Sequence, residues 1–227
     1  MDRLNTSRCT RLMTTTRTLV VVSHHRPDSR TAHVAELVAE RLRAAEHEID
    51  VLDLRSEGFD PRMTLEDEPD WTDRDKAYSV QVQQHMERIL AADLLVVVFP
   101  IYWQSTPALL KGWIDRVWNY GFAYGRSDPR LAGKRVLWVG LAGATAEDPI
   151  VAPMADLLEA QLSEGIAYYC GFAKSAVAVL PDAEDQPQSV DELGNLVVGE
   201  APAGEELASQ HRAFDRRVLA AVDEFAA

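Results

Sequence analysis

Two adjacent aromatic residues, Tyr102 and Trp103, follow a short apolar run at residues 94–99. Pro100 lies between the run and the aromatic pair and ends a strand there, because proline fixes φ and has no N–H. Large aromatic side chains in a strand-end loop offer a surface for a flat ring, although core packing would use the same residue types. The candidate binding loop consists of Pro100, Ile101, Tyr102, Trp103 and Gln104.

A hydroxyl-rich turn follows the first apolar run, residues 18–23. Ser29 and Thr31, with the N–H groups that start the next helix, could form a cradle for an anion, aided by the helix dipole. His24 adds a hydrogen-bond donor and, when protonated, a positive charge. Simple capping of the helix would explain the same hydroxyls.

The fourth apolar run leads into a stretch of small residues, called the fourth loop, which is the last of the three candidate loops. Its members are Ala142, Gly143, Ala144 and Thr145. Small residues let a ligand approach the backbone closely, and they are also common in ordinary strand-to-helix turns.

Short apolar runs alternate with amphipathic segments, and this alternation predicts the elements that position the three loops. Strands are expected at residues 18–23, 48–54, 94–99, 134–140 and 175–180. Helices are expected from near residue 31, over 75–91, from 106, from about 150 and near the C-terminus, while 181–202 fits a hairpin or coil. The pattern predicts an α/β fold with a doubly wound, five-stranded parallel sheet in the order 2-1-3-4-5. In that order the loops after strands one, three and four meet at one edge.

Two segments beside the central strand carry further local signals. Thr106 and Pro107 fit the N-cap and first position of a helix whose apolar stripe faces the core. The acidic stretch 55–75 lacks calcium-loop spacing and is expected to be a solvated surface loop. We expect Phe59, Met63 and Trp71 to fasten this loop to the core.

Composition limits the classes of partner. The 227 residues carry a net charge of −13, which argues against a nucleic-acid groove or an anionic membrane surface. No apolar run approaches the ~20 residues of a membrane span, so no membrane insertion is expected. Two cysteines, Cys9 and Cys170, favour a cytoplasmic protein without a disulfide framework, and Cys170 in an apolar run is expected to be inert. We expect residues 1–16 to form a disordered tail and residues 17–227 to form one domain.

Several common motifs are absent from the sequence. No G-x-G-x-x-G follows a strand, Gly133-Lys134 lacks the rest of a phosphate-binding P-loop, and no G-x-S-x-G elbow occurs. The six histidines have no paired ligand spacing on a helix face, so no metal site is expected.

Residues 99–125, FPIYWQSTPALLKGWIDRVWNYGFAYG, closely resemble the signature of the flavodoxin-like NAD(P)H quinone reductases. That family includes the DT-diaphorases, the bacterial drug-modulator quinone reductases and the oxidoreductase subunits of potassium-efflux systems. The segments VVVSHHRPDSRT and YYCGF are similar to family counterparts but are less specific. The resemblance covers about residues 18–180 and implies a flavodoxin-like, flavin-binding domain.

The resemblance implies roles for all three loops. His24, Ser29 and Thr31 would hold the flavin phosphate, residues 100–104 would lie along the isoalloxazine, and residues 142–145 would cover its opposite edge. Phe122 and Tyr124 would wall the substrate pocket and reach the flavin of a partner, because the family is usually a homodimer. The short chain and compact first loop favour FMN, with FAD as the alternative, and NAD(P)H would be the electron donor.

The fourth loop departs from the family pattern. Family members commonly have Thr-Thr-Gly-Gly followed by a tyrosine, with a histidine further on in the DT-diaphorases, whereas this chain reads Leu-Ala-Gly-Ala at residues 141–144 with neither nearby. A proton relay from this loop is therefore not expected, although backbone binding is.

The expected activity is NAD(P)H-dependent reduction of quinone-like acceptors by two-electron hydride transfer through the flavin. No catalytic side chain is assigned, because the cofactor carries the chemistry. The alternative is a flavin-binding accessory or sensor subunit that regulates a partner such as an ion-efflux system. A narrower biosynthetic reductase is a third possibility.

Overall fold

Five parallel strands form the centre of the molecule. In this computed structural model they are β1 Arg17–Val22, β2 Glu48–Asp53, β3 Leu94–Pro100, β4 Arg135–Leu141 and β5 Lys174–Leu180. Their order is β2-β1-β3-β4-β5, which confirms the predicted topology. The structure describes residues 15–186 and 188–226, so the tail predicted at residues 1–16 lies almost wholly outside the described residues.

Helices cover both faces of the sheet. They are α1 Arg30–Ala44, α2 Val80–Ala91, α3 Ala108–Val117, α4 Val151–Leu158 and α5 Gly204–Ala226. Side chains of successive strand residues point alternately into two separate cores. One core lies beneath α1 and α5, and the other lies beneath α2, α3 and α4. This is the burial on both faces that a parallel sheet requires. No helix in the described ranges has the length and apolar character to cross a membrane.

The acidic segment between β2 and α2 is fastened differently from the prediction. Phe59 is buried as expected, but Met63 and Trp71 are 46% and 66% exposed, so those two assignments are wrong. The main anchor is the fully buried Asp67, which forms an ion pair with the buried Arg116 of α3. This segment is therefore held by polar contacts with distant parts of the chain as well as by the burial of an apolar side chain.

Asp67 also explains why α2 begins at Val80 and not near residue 75. Its carboxylate accepts hydrogen bonds from the N–H of Ser79 at 2.8 Å and from the Ser79 hydroxyl at 3.0 Å. Ser79 is thus held in a non-helical conformation at the N-cap position. The preceding residues remain in turns that the amphipathic pattern alone does not reveal.

Helix α3 has the predicted apolar stripe but starts slightly later. Pro107 occupies the N-cap position and Thr106 makes no capping hydrogen bond, so the predicted cap is wrong by one residue. Five apolar side chains of the stripe are buried: Leu110, Trp113, Ile114, Val117 and Trp118. On the solvent face, Lys111 and Asp115, one turn apart, form an ion pair at 2.6 Å.

The chain after α4 departs from a regular α/β pattern. Residues Glu159–Ala167 form a π-helix, and the Glu159 carboxylate accepts the N–H of Val177 on β5 at 2.9 Å. This contact satisfies a donor on a strand at the edge of the sheet. The stretch left open by the sequence contains an antiparallel hairpin, β6 Gln188–Val190 and β7 Leu196–Val198.

Candidate functional site

The carboxyl ends of four neighbouring strands bring the candidate loops together. The N–H of Ser23, just after β1, donates to the carbonyl of Val98 on β3 at 3.0 Å. The N–H of Ile101 continues the pairing to Leu141 at 2.8 Å, and that of Ala142 reaches Leu180 at 2.9 Å. The first, third and fourth loops therefore leave the sheet side by side, as the strand order predicts.

The third loop, residues 100–104, which we also call the aromatic loop, holds its aromatic residues in an unusual backbone conformation. Trp103 and Gln104 have φ values of +51° and +57°, the left-handed region that non-glycine residues rarely adopt. Trp103 is fully exposed and Tyr102 is 44% exposed, so neither ring is packed in the core of this chain. Strained backbone of this kind concentrates at functional sites.

Ile101 anchors this loop on the sheet. A Cβ built on Gly140 of β4 would lie 3.0 Å from the side chain of Ile101, so the glycine leaves the space that Ile101 occupies. Pro100 forms the last position of β3, opposite Leu141. The base of the loop is thereby fixed while its tip projects from the edge.

In the first loop, Ser29 caps α1. Its hydroxyl accepts the N–H of Ala32 at 3.1 Å, and both Ser29 and Thr31 are buried. The capping explanation thus accounts for the Ser29 side chain. The N–H groups that open α1, at Arg30 and Thr31, have no acceptor within the helix and carry the positive end of its dipole. They are the part of this loop best suited to an anion.

His24 is a neutral donor in this geometry. Its Nδ1 accepts the N–H of Arg26 at 3.0 Å, which leaves the proton on Nε2. Partial burial, followed by the stacked His25 ring at 4.4 Å, lowers the pKa of His24 below its usual 6.5. His24 can therefore offer an Nε2–H to a ligand without bringing a charge at neutral pH.

The fourth loop presents backbone donors. Three of its four carbonyl oxygens are occupied. Ala142 accepts from the N–H of Ala183 at 3.0 Å, Ala144 from that of Asp182 at 2.9 Å and Thr145 from that of Asp148 at 3.0 Å. The N–H groups of Gly143, Ala144 and Thr145 donate to no group within the described residues. Three consecutive free donors at this edge suit a ligand rich in carbonyl oxygens.

Two buried hydroxyls near this edge also have no partner. Ser23 Oγ and Thr106 Oγ1 are enclosed by protein yet make no hydrogen bond within the described part of the chain. Buried polar groups are usually satisfied, so unsatisfied ones point to a missing partner. Ser23 follows β1 and Thr106 closes the third loop, both beside the candidate site.

The sequence alone did not predict a cluster of charged and titratable side chains, Arg30, Asp185 and His211, that borders the first and fourth loops. Arg30 pairs with Asp185, and His211 of α5 contacts the same carboxylate at 2.7 Å. A cleft of about 400 Å³ extends from these residues to Gly143 and Thr145. Because β5 is adjacent to β4, the strand order already places the loop after β5 at this edge. The contact between Arg30 and His211 of α5 joins residues 181 positions apart in the sequence, so no local pattern predicts it.

Tyr124 and Phe122 lie away from the loops of their own chain. They follow α3, whose ten residues span about 15 Å from the aromatic loop. Phe122 is buried and belongs to the core, whereas Tyr124 is partly exposed and borders a cleft of about 460 Å³ along α3. One chain therefore does not bring Tyr124 to the three loops.

The surface around Tyr124 is strongly aromatic. Its ring centroid lies 5.9 Å from Tyr120, 5.6 Å from Tyr169 and 6.4 Å from Trp71. Trp71 and Tyr169 are 66% and 67% exposed. Together Trp71, Tyr120, Tyr124 and Tyr169 form what we call the aromatic patch. Trp118 of the same segment is buried instead and stacks on Phe172 at 5.3 Å.

Metal and thiol chemistry find no support in the described residues. No three His, Cys, Asp or Glu side chains in residues 15–186 and 188–226 are grouped as metal ligands would be. Cys170 is buried in the core, and burial raises the pKa of its thiol to about 12, which disfavours the reactive thiolate. Cys9 lies outside the described residues.

The chain belongs to the Flavodoxin_2 family, described by its flavodoxin-like fold, whose model matches residues 16–195. Among its relatives is the uncharacterized NAD(P)H oxidoreductase YcaK of Escherichia coli, 47% identical over 135 residues, which cover 60% of this chain and 68% of that one. Ribosyldihydronicotinamide dehydrogenase [quinone] of Mus musculus is 32% identical over 177 residues, covering 68% and 76% of the two chains.

Solved structures share the fold. An NAD(P)H:quinone oxidoreductase from Methanothermobacter marburgensis superposes with a TM-score of 0.73 at 22% identity, covering 92% of this chain and 96% of that one. General stress protein 14 of Treponema denticola, in complex with FMN, gives a TM-score of 0.56 at 22% identity and covers 92% and 99% of the two chains.

Proposed function

We propose that this protein is an NAD(P)H-dependent flavin oxidoreductase that reduces quinone-like acceptors. The observation that carries the proposal is the meeting, at one sheet edge, of unpaired N–H groups and an exposed aromatic loop. Unpaired donors suit the phosphate and the ring carbonyls of a flavin, and the aromatic loop suits its flat ring. Relatives named as NAD(P)H oxidoreductase and quinone dehydrogenase support the same activity.

Each of the three loops would bind a different part of the cofactor. The N–H groups of Arg30 and Thr31, with the neutral His24, would bind the phosphate at the helix N-terminus. Residues 100–104 would lie along the ring, and the free N–H donors of residues 143–145 would face its polar edge. The unpaired hydroxyls of Ser23 and Thr106 lie beside these loops, so a bound ligand could satisfy them.

FMN fits this site better than FAD. The cleft beside Arg30 has room for part of an adenosine, but its three carboxylates, Asp182, Glu184 and Asp185, outnumber its two guanidinium groups. Those of Arg30 and Arg217 already pair with Asp185 and Asp182. The second phosphate of FAD would be placed near these negative charges, which disfavours it. FAD remains the alternative for experiment, and an FMN complex is known for a neighbour of the same fold.

When bound, the flavin would supply two-electron hydride chemistry between a nicotinamide and a quinone, with the further proton of the hydroquinone coming from water. The contribution of the chain is to orient the rings and to stabilise negative charge through fixed backbone donors. Tyr102 stays protonated, because burial, followed by the nearby Glu184, raises its pKa above 10. It can therefore act as a neutral hydrogen-bond donor, while no side chain is assigned as a general acid or base.

A homodimer would complete the pocket. The aromatic patch is exposed on one chain, and large exposed patches of this kind mark interaction sites. A two-fold partner would place Tyr124 over the opposite flavin, with Phe122 supporting it from the core. Sedimentation should give a dimer at micromolar concentration, and a strictly monomeric protein would remove this part of the proposal.

Turnover of the purified protein separates an enzyme from a regulatory subunit. With NADPH or NADH and menadione, we expect steady two-electron reduction that depends on the bound flavin. A Trp103→Ala variant should lose activity in parallel with flavin and regain much of it in excess FMN. A flavin-loaded protein with no turnover would instead favour the accessory or sensor role.

A further inference from the structure

A cavity of about 320 Å³ lies beside the aromatic patch and is lined by unusually many cations. Its charged lining consists of Arg74, Asp75, Lys76, Arg126 and Arg130. Four cations and one carboxylate leave a surplus of three positive charges in a chain whose net charge is −13. Such a local reversal of sign concentrates anions at one place on an acidic surface.

The cations of this cavity are largely not neutralised. Arg126 alone forms an ion pair with a carboxylate there, that of Asp75. Lys76 Nζ donates to the carbonyl of Glu68 at 2.6 Å and lies 5.7 Å from the centre of the Tyr78 ring, and neither contact cancels its charge. Arg74 and Arg130 form no ion pair within the described residues. These two guanidinium groups are available to a ligand.

The nearby carboxylates do not fill the cavity. Asp70 accepts hydrogen bonds from Thr72, the hydroxyl at 2.7 Å, and Asp73 accepts the N–H of Asp75 at 3.0 Å. Neither Asp70 nor Asp73 is part of the lining. The Arg126 hydrogen bond is the main cause of the lowered pKa of Asp75, and Arg130 and Arg74 add to it, so all three cations lie around this one carboxylate.

The backbone around the cavity is tightly fixed. A Cβ on Gly121, whose φ is +79°, would lie 1.9 Å from the carbonyl oxygen of Arg74. Arg126 donates to the carbonyls of Gly121 and Arg74, and the Tyr78 hydroxyl donates to that of Tyr120 at 2.7 Å. Two segments distant in sequence are thus locked together, which fixes the backbone positions from which their cations project.

An aromatic ring adjoins the cationic lining. Tyr120 lines the cavity and makes an edge contact with Trp71, with ring centroids 5.1 Å apart. Tyr120 also contacts Tyr124, which borders the separate cleft along α3. A ligand with a phosphate, a flat base and a second ring would fit this succession of surfaces.

We propose that this cavity binds the 2′-phosphate and adenine of NADPH, which makes the phosphorylated nicotinamide nucleotide the preferred donor. The inference rests on the proposed function for the identity of the nucleotide. Arg74 and Arg130 bind the 2′-phosphate through charge-assisted, bidentate hydrogen bonds, while Tyr120 and Trp71 contact the base. The nicotinamide end then extends past Tyr124 toward the flavin of the partner.

Binding of two small nucleotides tests the site without any need for turnover. Calorimetry with the purified protein should show adenosine 2′,5′-bisphosphate bound at least about tenfold more tightly than adenosine 5′-monophosphate. Arg130→Ala and Arg74→Ala should each remove most of that preference. Arg43→Ala, an exposed arginine on α1 that changes the net charge equally, should keep it. No preference in the wild type, or an unchanged preference in both cavity variants, would overturn the proposal.

A kinetic measurement distinguishes this proposal from the proposed function. The ratio of kcat/KM for NADPH to that for NADH should exceed about ten in the wild type and fall about tenfold in Arg130→Ala. Equal use of the two donors, with no nucleotide preference, would remove the site and leave the oxidoreductase intact. Absence of turnover, with an Arg130-dependent preference for the bisphosphate, would remove the proposed activity and leave the anion site.

Discussion

Tyr102 and Ser105 exchange both of their backbone hydrogen bonds, each 3.0 Å long, and so close a tight turn around Trp103 and Gln104. Closure of this turn holds Trp103 in the left-handed region with its indole ring fully exposed. Conformations of this kind cost of order 1 kcal/mol or more and persist where the surrounding structure imposes them. A side chain held at that cost without any contact to its own chain is suited to a ligand.

Truncation of Trp103 should weaken flavin binding and leave stability unchanged. Trp103→Ala removes an exposed ring, so we expect a loss of about 1 kcal/mol in flavin binding, or close to tenfold in Kd. Trp103→Phe should retain most of the affinity. Flavin fluorescence titration and the melting temperature of the apoprotein measure the two effects. A large fall in melting temperature would show that Trp103 packs on the protein itself.

Substitution of Tyr124 should affect the acceptor and not the flavin. Tyr124 follows α3, whose ten residues span about 15 Å from the aromatic loop of the same chain, so flavin occupancy in Tyr124→Phe and Tyr124→Ala should stay near normal. The kinetic constants for the quinone should change, because Tyr124 would wall the pocket. Flavin loss equal to that in Trp103→Ala would mean that the pocket is misplaced. A lower melting temperature with unchanged kinetics would indicate packing alone.

The sheet order and the three loops were predictable because they depend on local patterns. Apolar runs identify buried strands, and the order 2-1-3-4-5 then places the loops after strands one, three and four together. The late start of α2 was not predictable, because it is set by Asp67, twelve residues before Ser79. The same limit applies to Arg30 and His211, which are far apart in sequence and meet only when α5 packs against α1.

The ligand roles of individual residues were only partly readable from their types. By its residue type, Ser29 fits either an anion cradle or a helix cap. Only the hydrogen bond that its hydroxyl accepts from the N–H of Ala32 reveals the capping role. Phe122 and Tyr124 are both aromatic, yet Phe122 is buried and Tyr124 is partly exposed. Burial depends on tertiary packing, so a single sequence cannot separate the two.

Loss of the charge on Asp67 should be the most destabilising single polar change. Asp67→Asn leaves Arg116 buried without its counter-charge, which should cost about 3–5 kcal/mol in the free energy of unfolding. Asp223→Asn is the matched control, because its pair with Arg41 is exposed and should contribute less than about 1 kcal/mol. Urea denaturation measures both, and similar small effects would contradict the anchoring role of Asp67.

The same pair predicts an acid dependence of stability. Burial opposes the charge on Asp67, but hydrogen bonds from Arg116 and Ser79 outweigh it and hold the pKa of Asp67 below its usual value. A carboxyl with a lowered folded pKa stabilises the protein above its unfolded pKa of about 3.9, and this contribution is lost as pH falls further. Wild-type stability should therefore drop below about pH 4 more steeply than that of Asp67→Asn. Parallel curves would refute this assignment.

Flavin affinity should not depend on protonation of His24. Burial and the neighbouring His25 lower its pKa, so His24 is neutral above pH 7. A flavin phosphate is a dianion over the same range. We expect Kd to change less than about threefold between pH 7 and 8.5, whereas a required imidazolium would weaken binding about tenfold per pH unit. His24→Ala should lower affinity at both pH values by a similar factor, since a donor is lost and not a charge.

Identification of the flavin that copurifies with the protein tests the proposed function together with the roles of the three loops. Protein purified without added cofactor should be yellow, and denaturation should release one FMN per subunit, identified by its mass and absorbance. Reconstitution of the apoprotein should restore the same stoichiometry. A colourless protein that binds neither added FMN nor added FAD would contradict the assignment of the three loops, and with it the proposed function.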